Sequence, residues 1–294
     1  MLLLTFADYL PQARRLAAQL ACPCLEIGVH PFPDGESLVT LPTALPEHVL
    51  ICRSLNQPNN KLIELLLSAK TARDLGAKRL SLIAPYLCYM RQDTANHPGE
   101  AVSQRIIGEV LAGLFDDVIT VDPHLHRISA LNQAIPLKNA ISLTAANEIA
   151  DFLKRQLDDA VLLGPDSESE QWVAGIAGKT GFHYAIAAKQ RLGDTQVEIT
   201  LPGCNFHGRI VVIVDDVAST GRTLAQAAIL LKQQGAKAVH AAITHALFCG
   251  NAEQQLRQAG VEHLWSTDSI SHASACIRLD KLLANACRSL PDVC

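Results

Sequence analysis

The 294-residue chain is poor in aromatic residues: Phe, Tyr and Trp make up 4% of it. Its core must therefore be built from Leu, Ile, Val and Ala. No apolar run approaches the roughly 18 residues that span a bilayer. The opening segment MLLLTFADYL lacks a basic leader and a small-residue cleavage site, so it reads as a first strand. Positive charge is not in surplus: 25 basic against 29 acidic residues give a net charge of -4, which argues against a nucleic-acid partner. The nine cysteines include no CxxC pair, so neither a zinc ribbon nor a thioredoxin motif is indicated. Their odd number and scatter read as reduced thiols of a cytoplasmic protein, several of them buried as small hydrophobes. No GxxxxGK[ST] loop and no low-complexity tract occurs.

What the chain does have is 49% hydrophobic and 18% charged residues, enough apolar surface to fold. At about 150 residues per domain its length suggests two domains. Short apolar runs alternate with helix-like segments. Strands are predicted at Leu2–Phe6, Val49–Cys52, Leu80–Ala84 and Asp117–Val121, then at Ala160–Gly164, His183–Lys189, Arg209–Val214, Ala238–His245 and Glu262–Ser266. Helices are predicted at Pro11–Leu20, Asn59–Leu75, Ser103–Leu114, Thr144–Gln156, Gln171–Thr180, Thr223–Gln234 and Leu279–Ser289. This rhythm implies an α/β fold with mainly parallel, doubly wound sheets. The stretch Pro136–Leu143 is the expected connection, dividing residues 1–142 from 143–294.

The most informative stretch is RIVVIVDDVASTGRTL, Arg209 to Leu224. A buried strand, Ile210–Val214, delivers Asp215 and Asp216 to its carboxyl end, where open α/β sheets place ligands. Ser219, Thr220, Gly221, Arg222 and Thr223 then open a helix. Small hydroxyl residues and a glycine let backbone N–H groups close on a phosphate, helped by the helix N-terminus. The paired carboxylates suit ribose hydroxyls or a Mg2+ ion. The bland alternative is a helix capped by Ser219 or Thr220, with the aspartates merely solvated. The stretch resembles the phosphoribosyl-diphosphate (PRPP) loop of type I phosphoribosyltransferases.

Further markers precede and follow it. Phe32-Pro33-Asp34-Gly35-Glu36 lies in an early loop, PYLCYMRQD runs from Pro85 to Asp93, and Asp122-Pro123-His124 follows a strand. Phe32 offers a stacking face, Asp34 and Glu36 can accept from an amine or ribose hydroxyls, and Arg91 and Gln92 can grip a polyphosphate. Each also has an ordinary structural reading: a core aromatic for Phe32, a salt-bridged turn for Arg91 to Asp93, a structural histidine for His124. In this order the four motifs resemble those of the ribose-phosphate pyrophosphokinase (PRPP synthetase) family, over about Phe32 to Ala273. That resemblance implies two similar type I phosphoribosyltransferase-like domains, the first on the ATP side and the second carrying the ribose 5-phosphate loop. It implies ATP and ribose 5-phosphate as substrates, Mg2+ as cofactor, and a homodimer or higher homo-oligomer. It places ATP on Phe32, Asp34, Glu36, Arg91 and Gln92. Ribose 5-phosphate falls to Asp215, Asp216 and Ser219 to Thr223. His124 and Asp166 flank the metal, and Lys189, Arg191 and His124 are catalytic. Lys189-Gln190-Arg191 stands at the root of a loop, Leu192–Gly208, expected to close over the site.

Three departures stand out. The family's D-T-A-G-T loop is replaced by Ser219-Thr220-Gly221-Arg222-Thr223. Asp166 is followed by Ser167-Glu168-Ser169 where the family has glycines, which should crowd the ligand. Thr94–Ala101, TANHPGEA, lacks the basic segment of phosphate-regulated members, so inorganic phosphate should change the rate little. Two other readings stay open: a PRPP-consuming phosphoribosyltransferase, which leaves PYLCYMRQD unused, and a non-catalytic or regulatory member.

Overall fold

The computed structural model describes residues 1–125, 127–191 and 197–291. The chain forms two compact units, one of Met1–Leu143 with Leu279–Cys294, the other of Thr144–Arg278. The first runs β1 (Leu2–Thr5), α1 (Leu10–Leu20), β2 (Cys24–Glu26), β3 (Gly28–Pro31), β4 (Ser37–Thr40), β5 (His48–Cys52), α2 (Pro58–Asp74), β6 (Arg79–Ala84), α3 (Ser103–Ala112), β7 (Asp117–Val121) and β8 (Asn139–Leu143). The second runs α4 (Ala146–Gln156), β9 (Val161–Gly164), α5 (Glu170–Thr180), β10 (His183–Ile186), β11 (Ala188–Arg191), β12 (Val197–Thr200), β13 (Ile210–Ala218), α6 (Arg222–Gln233), β14 (Ala238–Ala246), α7 (Ala252–Gln258), β15 (Val261–Thr267) and β16 (Ala275–Ile277); α8 (Asp280–Arg288) follows.

Each unit has a six-stranded parallel sheet, in the order β2-β1-β5-β6-β7-β8 and β10-β9-β13-β14-β15-β16. Each inserts an antiparallel hairpin, β3–β4 or β11–β12, between its second and third sheet strands. The two units thus repeat one topology. The central strands are buried along their whole length, as in β14, because parallel sheets are covered on both faces. Helices complete the cores with apolar stripes at helical spacing: Leu224, Ala227, Ala228 and Leu231 of α6 lie on Val211, Ile213, Ala241 and Ile243. Small alanines at this face let helix and sheet approach closely, which suits a core short of aromatics. Each fully buried Leu or Ile contributes about 1.5–3 kcal/mol.

Several elements differ from the sequence expectation. Residues 139–143, expected as part of the connection, form β8, an edge strand on β7. Its Asn139 Nδ2 donates to Asp117 Oδ1 at 2.7 Å. The buried Asp117 is pushed up by desolvation, but hydrogen bonds from Arg79, Ser81 and Asn139 outweigh this and hold it below its ordinary value. α8 belongs to the first unit, whereas a single cut at 142/143 assigns it to the second. Its apolar stripe of Leu283, Ala284 and Cys287 is buried, Gln19 of α1 donates to Asp280, and Arg288 donates to the Gln19 carbonyl. The expected strand His183–Lys189 breaks at Ala187. That residue still donates to the Gly164 carbonyl at 2.8 Å, after which the chain leaves the sheet for the hairpin. Within the expected loop Leu192–Gly208, residues 197–200 form β12; residues 192–196 lie outside the described residues. The eight described cysteines are free thiols. Among the described residues no helix is long and apolar enough to cross a membrane.

Candidate functional site

In the second unit the candidate residues gather at the carboxyl edge of one parallel sheet. β13 runs to Ala218, four residues past its predicted end, because nine-residue β14 supplies partners as far as Ala246. Asp215 and Asp216 therefore sit within the strand's last turns of pleat, not after it. The Asp215 carboxyl is held well above the ordinary range by burial, reinforced by the Asp216 and Asp166 carboxylates nearby. Asp216 is buried.

Asp166 leaves β9 through Gly164 and Pro165. A Cβ at Gly164 would lie 2.4 Å from Ser169 Oγ and 2.7 Å from Ile186 Cδ1, so a side chain there would push both residues aside. One Asp166 oxygen accepts from the Glu168 and Ser169 amides at 3.1 and 3.3 Å; the other accepts from Lys189 Nζ at 2.9 Å. Ser169 is buried, its hydroxyl donating to the Asp166 carbonyl at 2.6 Å. Ser167-Glu168-Ser169 thus closes a short 3-10 turn on Asp166. Lys189 is half-buried on β11. The side chain of Arg191 lies outside the described residues.

The loop Ser219–Thr223 leads into α6. Gly221 is the residue before the helix, at φ 71°, a left-handed conformation natural to glycine. No side chain caps the helix, so the alternative of a Ser219 or Thr220 cap is not met and the first-turn N–H groups are left to other partners. Thr220 and Arg222 are exposed and Thr223 half-buried. A segment the motifs did not reveal braces the loop: Leu247 and Phe248 donate to the Ala218 carbonyl, and Cys249 to that of Ser219 at 2.9 Å. Only the pairing of β13 with β14 brings Cys249 there, thirty residues away in sequence.

The corresponding place in the first unit, after β1 and β5, is occupied differently. Arg53 contacts Asp8 at 3.3 Å and Glu64 at 2.5 Å, lies 3.8 Å over the Phe6 ring, and Lys61 pairs with Asp8 at 2.6 Å. These carboxylates are neutralised by their own unit's cations. No hydroxyl-rich loop follows β5.

The other candidates of the first unit fall in two places. Phe32 to Glu36 form the exposed tip of the β3–β4 hairpin, closed by Phe32 N–H to the Glu36 carbonyl at 2.7 Å and Glu36 N–H to Asp34 Oδ1 at 3.1 Å. Phe32 is 41% exposed and so not a core aromatic. Arg91 and Gln92 are exposed after β6. Asp93 is anchored by Arg127 at 2.5 Å, and Ser103 donates to Gln92 at 2.8 Å. His124, half-buried after the neighbouring strand β7, has φ 56°, and Tyr89 and Asp122 also have positive φ. Such conformations cost side-chain-bearing residues about 1–3 kcal/mol each and concentrate at ligand sites.

Residues 1–114 match the family model of the N-terminal domain of ribose phosphate pyrophosphokinase, and residues 133–274 match that of the phosphoribosyl transferase domain. The ribose-phosphate pyrophosphokinase of Methanopyrus kandleri is 33% identical over 294 residues, 99% of each chain. The chain belongs to the ribose-phosphate pyrophosphokinase family. The Saccharolobus solfataricus relative is 35% identical over 87% of this chain and 88% of its own. A phosphoribosylpyrophosphate synthetase crystal structure from Mycobacterium smegmatis shares the fold, with TM-score 0.81 over 98% of both chains at 23% identity. The enzyme class is thus diphosphoryl transfer in PRPP synthesis.

A divalent cation fits this donor set. Mg2+ takes oxygen ligands, one or two carboxylates being shared with substrate phosphates. The crowding of Asp215, Asp216 and Asp166 that raises Asp215 is what a cation would relieve. Among the described residues no three His, Cys, Asp or Glu side chains form a metal cage by themselves.

Proposed function

We propose that this enzyme transfers the pyrophosphoryl group of ATP to the anomeric hydroxyl of ribose 5-phosphate, giving PRPP and AMP. The observation that carries this reading is the loop Ser219–Thr223, opening an uncapped helix beside the raised Asp215 and the Lys189–Asp166 pair. Thr220, Gly221 and Thr223 would bind the 5-phosphate through backbone N–H groups and hydroxyls, with Ser219 and Arg222 at its rim. Asp215 and Asp216 would accept from the ribose hydroxyls. Phe32 would stack on adenine, with Asp34 and Glu36 as acceptors and Arg91 and Gln92 on the polyphosphate.

Mg2+ supplies charge neutralisation on the phosphates when bound; Asp166 is the candidate to stand beside it in the second unit, and His124 the candidate in the first. Lys189 and Arg191 would offset charge on the transferred group, holding it in line for the hydroxyl; such chemistry is mostly positioning and electrostatics. The Lys189–Asp166 bond keeps the ammonium in place before substrate arrives. A homodimer or higher oligomer is supported by apolar side chains left exposed on the first unit, among them Leu38 at 51% and Ile63 at 55%. We place the enzyme in the cytoplasm on its reduced cysteines.

Purified enzyme with ATP, ribose 5-phosphate and Mg2+ should yield AMP and PRPP in equal amounts. Folded protein giving neither product across a Mg2+ range would refute the reading.

A further inference from the structure

At the other edge of the second sheet, away from the phosphate loop, lies a pair of histidines with no part in the reaction above. His240 is the third residue of β14 and His263 the third of β15, directly opposite each other in the parallel register. Their ring centroids are 5.0 Å apart at an interplanar angle of 49°. Trp265, two residues on and so on the same face, lies 5.0 Å from the His240 ring and stacks on His263 at 5.6 Å. His263 is exposed, whereas His240 is only 5% exposed. The buried Nδ1 of His240 makes no hydrogen bond of normal geometry. It interacts with the Val239 backbone without reaching that geometry, which leaves the group short of a full partner.

The spacing suits a shared ion. A ring centroid sits about 3.2 Å from a metal bound at its nitrogen, so two rings 5.0 Å apart can reach one ion when their nitrogens turn toward it. Burial, with His263 beside it, pushes the His240 pKa down, so the ring is neutral and able to ligate at neutral pH. The neighbouring charges balance each other, since Lys232 pairs with Glu262 at 2.8 Å.

We propose that His240 and His263 form a cross-strand chelate for a late first-row divalent metal ion such as Zn2+ or Ni2+, with water completing the shell. Two imidazoles suit these ions and do not suit Mg2+. The site is therefore distinct in chemistry and place from the Mg2+-dependent reaction.

The test is a Ni2+ titration of tag-free enzyme followed by tryptophan emission. Ni2+ held within a few ångströms of Trp265 quenches it saturably in the micromolar range, Zn2+ restores the signal by displacement, and excess Mg2+ changes nothing. His263→Ala, at an exposed position that should not disturb folding, weakens the binding by at least about tenfold. Trp265→Phe removes the quench, while calorimetry still counts one Ni2+ at this affinity. Coincident Ni2+ curves for parent and His263→Ala, or calorimetric binding that never quenches Trp265 in the parent, would overturn the proposal.

Discussion

Asp215 shows how the site draws on the stability of the fold. Burial and the neighbouring Asp216 and Asp166 raise its carboxyl above the unfolded value. The stability contributed by its protonated form is complete below the unfolded pKa and is lost as pH rises through the higher folded one. As pH rises above the unfolded value, the tendency of this buried carboxyl to take on charge therefore costs the fold stability. Asp215→Asn keeps the acceptor for the Asp216 amide, bonded at 3.0 Å, and removes that charge. It should stabilise the protein by about 1 kcal/mol, or about 2–4 °C in Tm, while greatly reducing PRPP formation. Paired melts should show the gap widening from acid to neutral pH. Lys189, which the proposed function places on the transferred group, offers a contrasting case. Lys189→Ala leaves the largely buried Asp166 without its cation beside Asp215 and Asp216, so Tm should fall modestly. If Lys189 offsets charge on the transferred group, kcat should fall about 10²–10³-fold with KM for ribose 5-phosphate nearly unchanged.

At the level of elements, close backbone approach governs how the helices seat on their sheets. Gly108 lies in the middle of α3, where a Cβ would come within 1.8 Å of the Ala134 carbonyl oxygen. Backbone cannot swing aside as a flexible side chain can. Gly108→Ala should lower stability by about 1–3 kcal/mol despite the better helix propensity of alanine, a loss that urea unfolding would report. The segment Thr94–Ala101 makes a regulatory prediction. Glu100 accepts from the Asn96 amide at 2.7 Å and no Lys or Arg lies within the segment, so it presents no cationic grip for an anion. Initial rates should vary less than about twofold between phosphate-free and phosphate-containing buffer of equal ionic strength, screening being matched. A steep phosphate requirement would refute this.

Across the whole molecule, the chain repeats one topology but carries the Ser219–Thr223 loop in the second copy. The first copy fills the corresponding place with Arg53 and Lys61 on Asp8 and Glu64. The chain then returns to the first unit through α8. Removing residues 279–294 strips a helix from the first unit. Hydrogen exchange should accelerate in β1 and β5–β8, while residues 144–278 keep their protection. Equal loss of protection in both units would contradict this division.

The sequence by itself determined the fold class and the family, and it named the candidate residues of the site. Those depend on local patterns: buried runs of strand length, helical apolar spacing, and motifs contiguous enough to read, such as VVIVDDVASTGRT and PYLCYMRQD. It left the edge strand β8 hidden, because Asn139–Leu143 mixes polar and apolar residues, is only half-buried, and becomes a strand only when β7 offers its edge. It ended β13 too early, because the pairing partners of Val217 and Ala218, His245 and Ala246, are remote in sequence. The same holds for Cys249 against Ser219, the ion-paired filling of the first copy, the place of α8, and the His240–His263 pair. Each is a meeting of residues far apart along the chain, and such meetings are decided by which strands lie side by side, a property of the sheet order and not of any stretch of sequence.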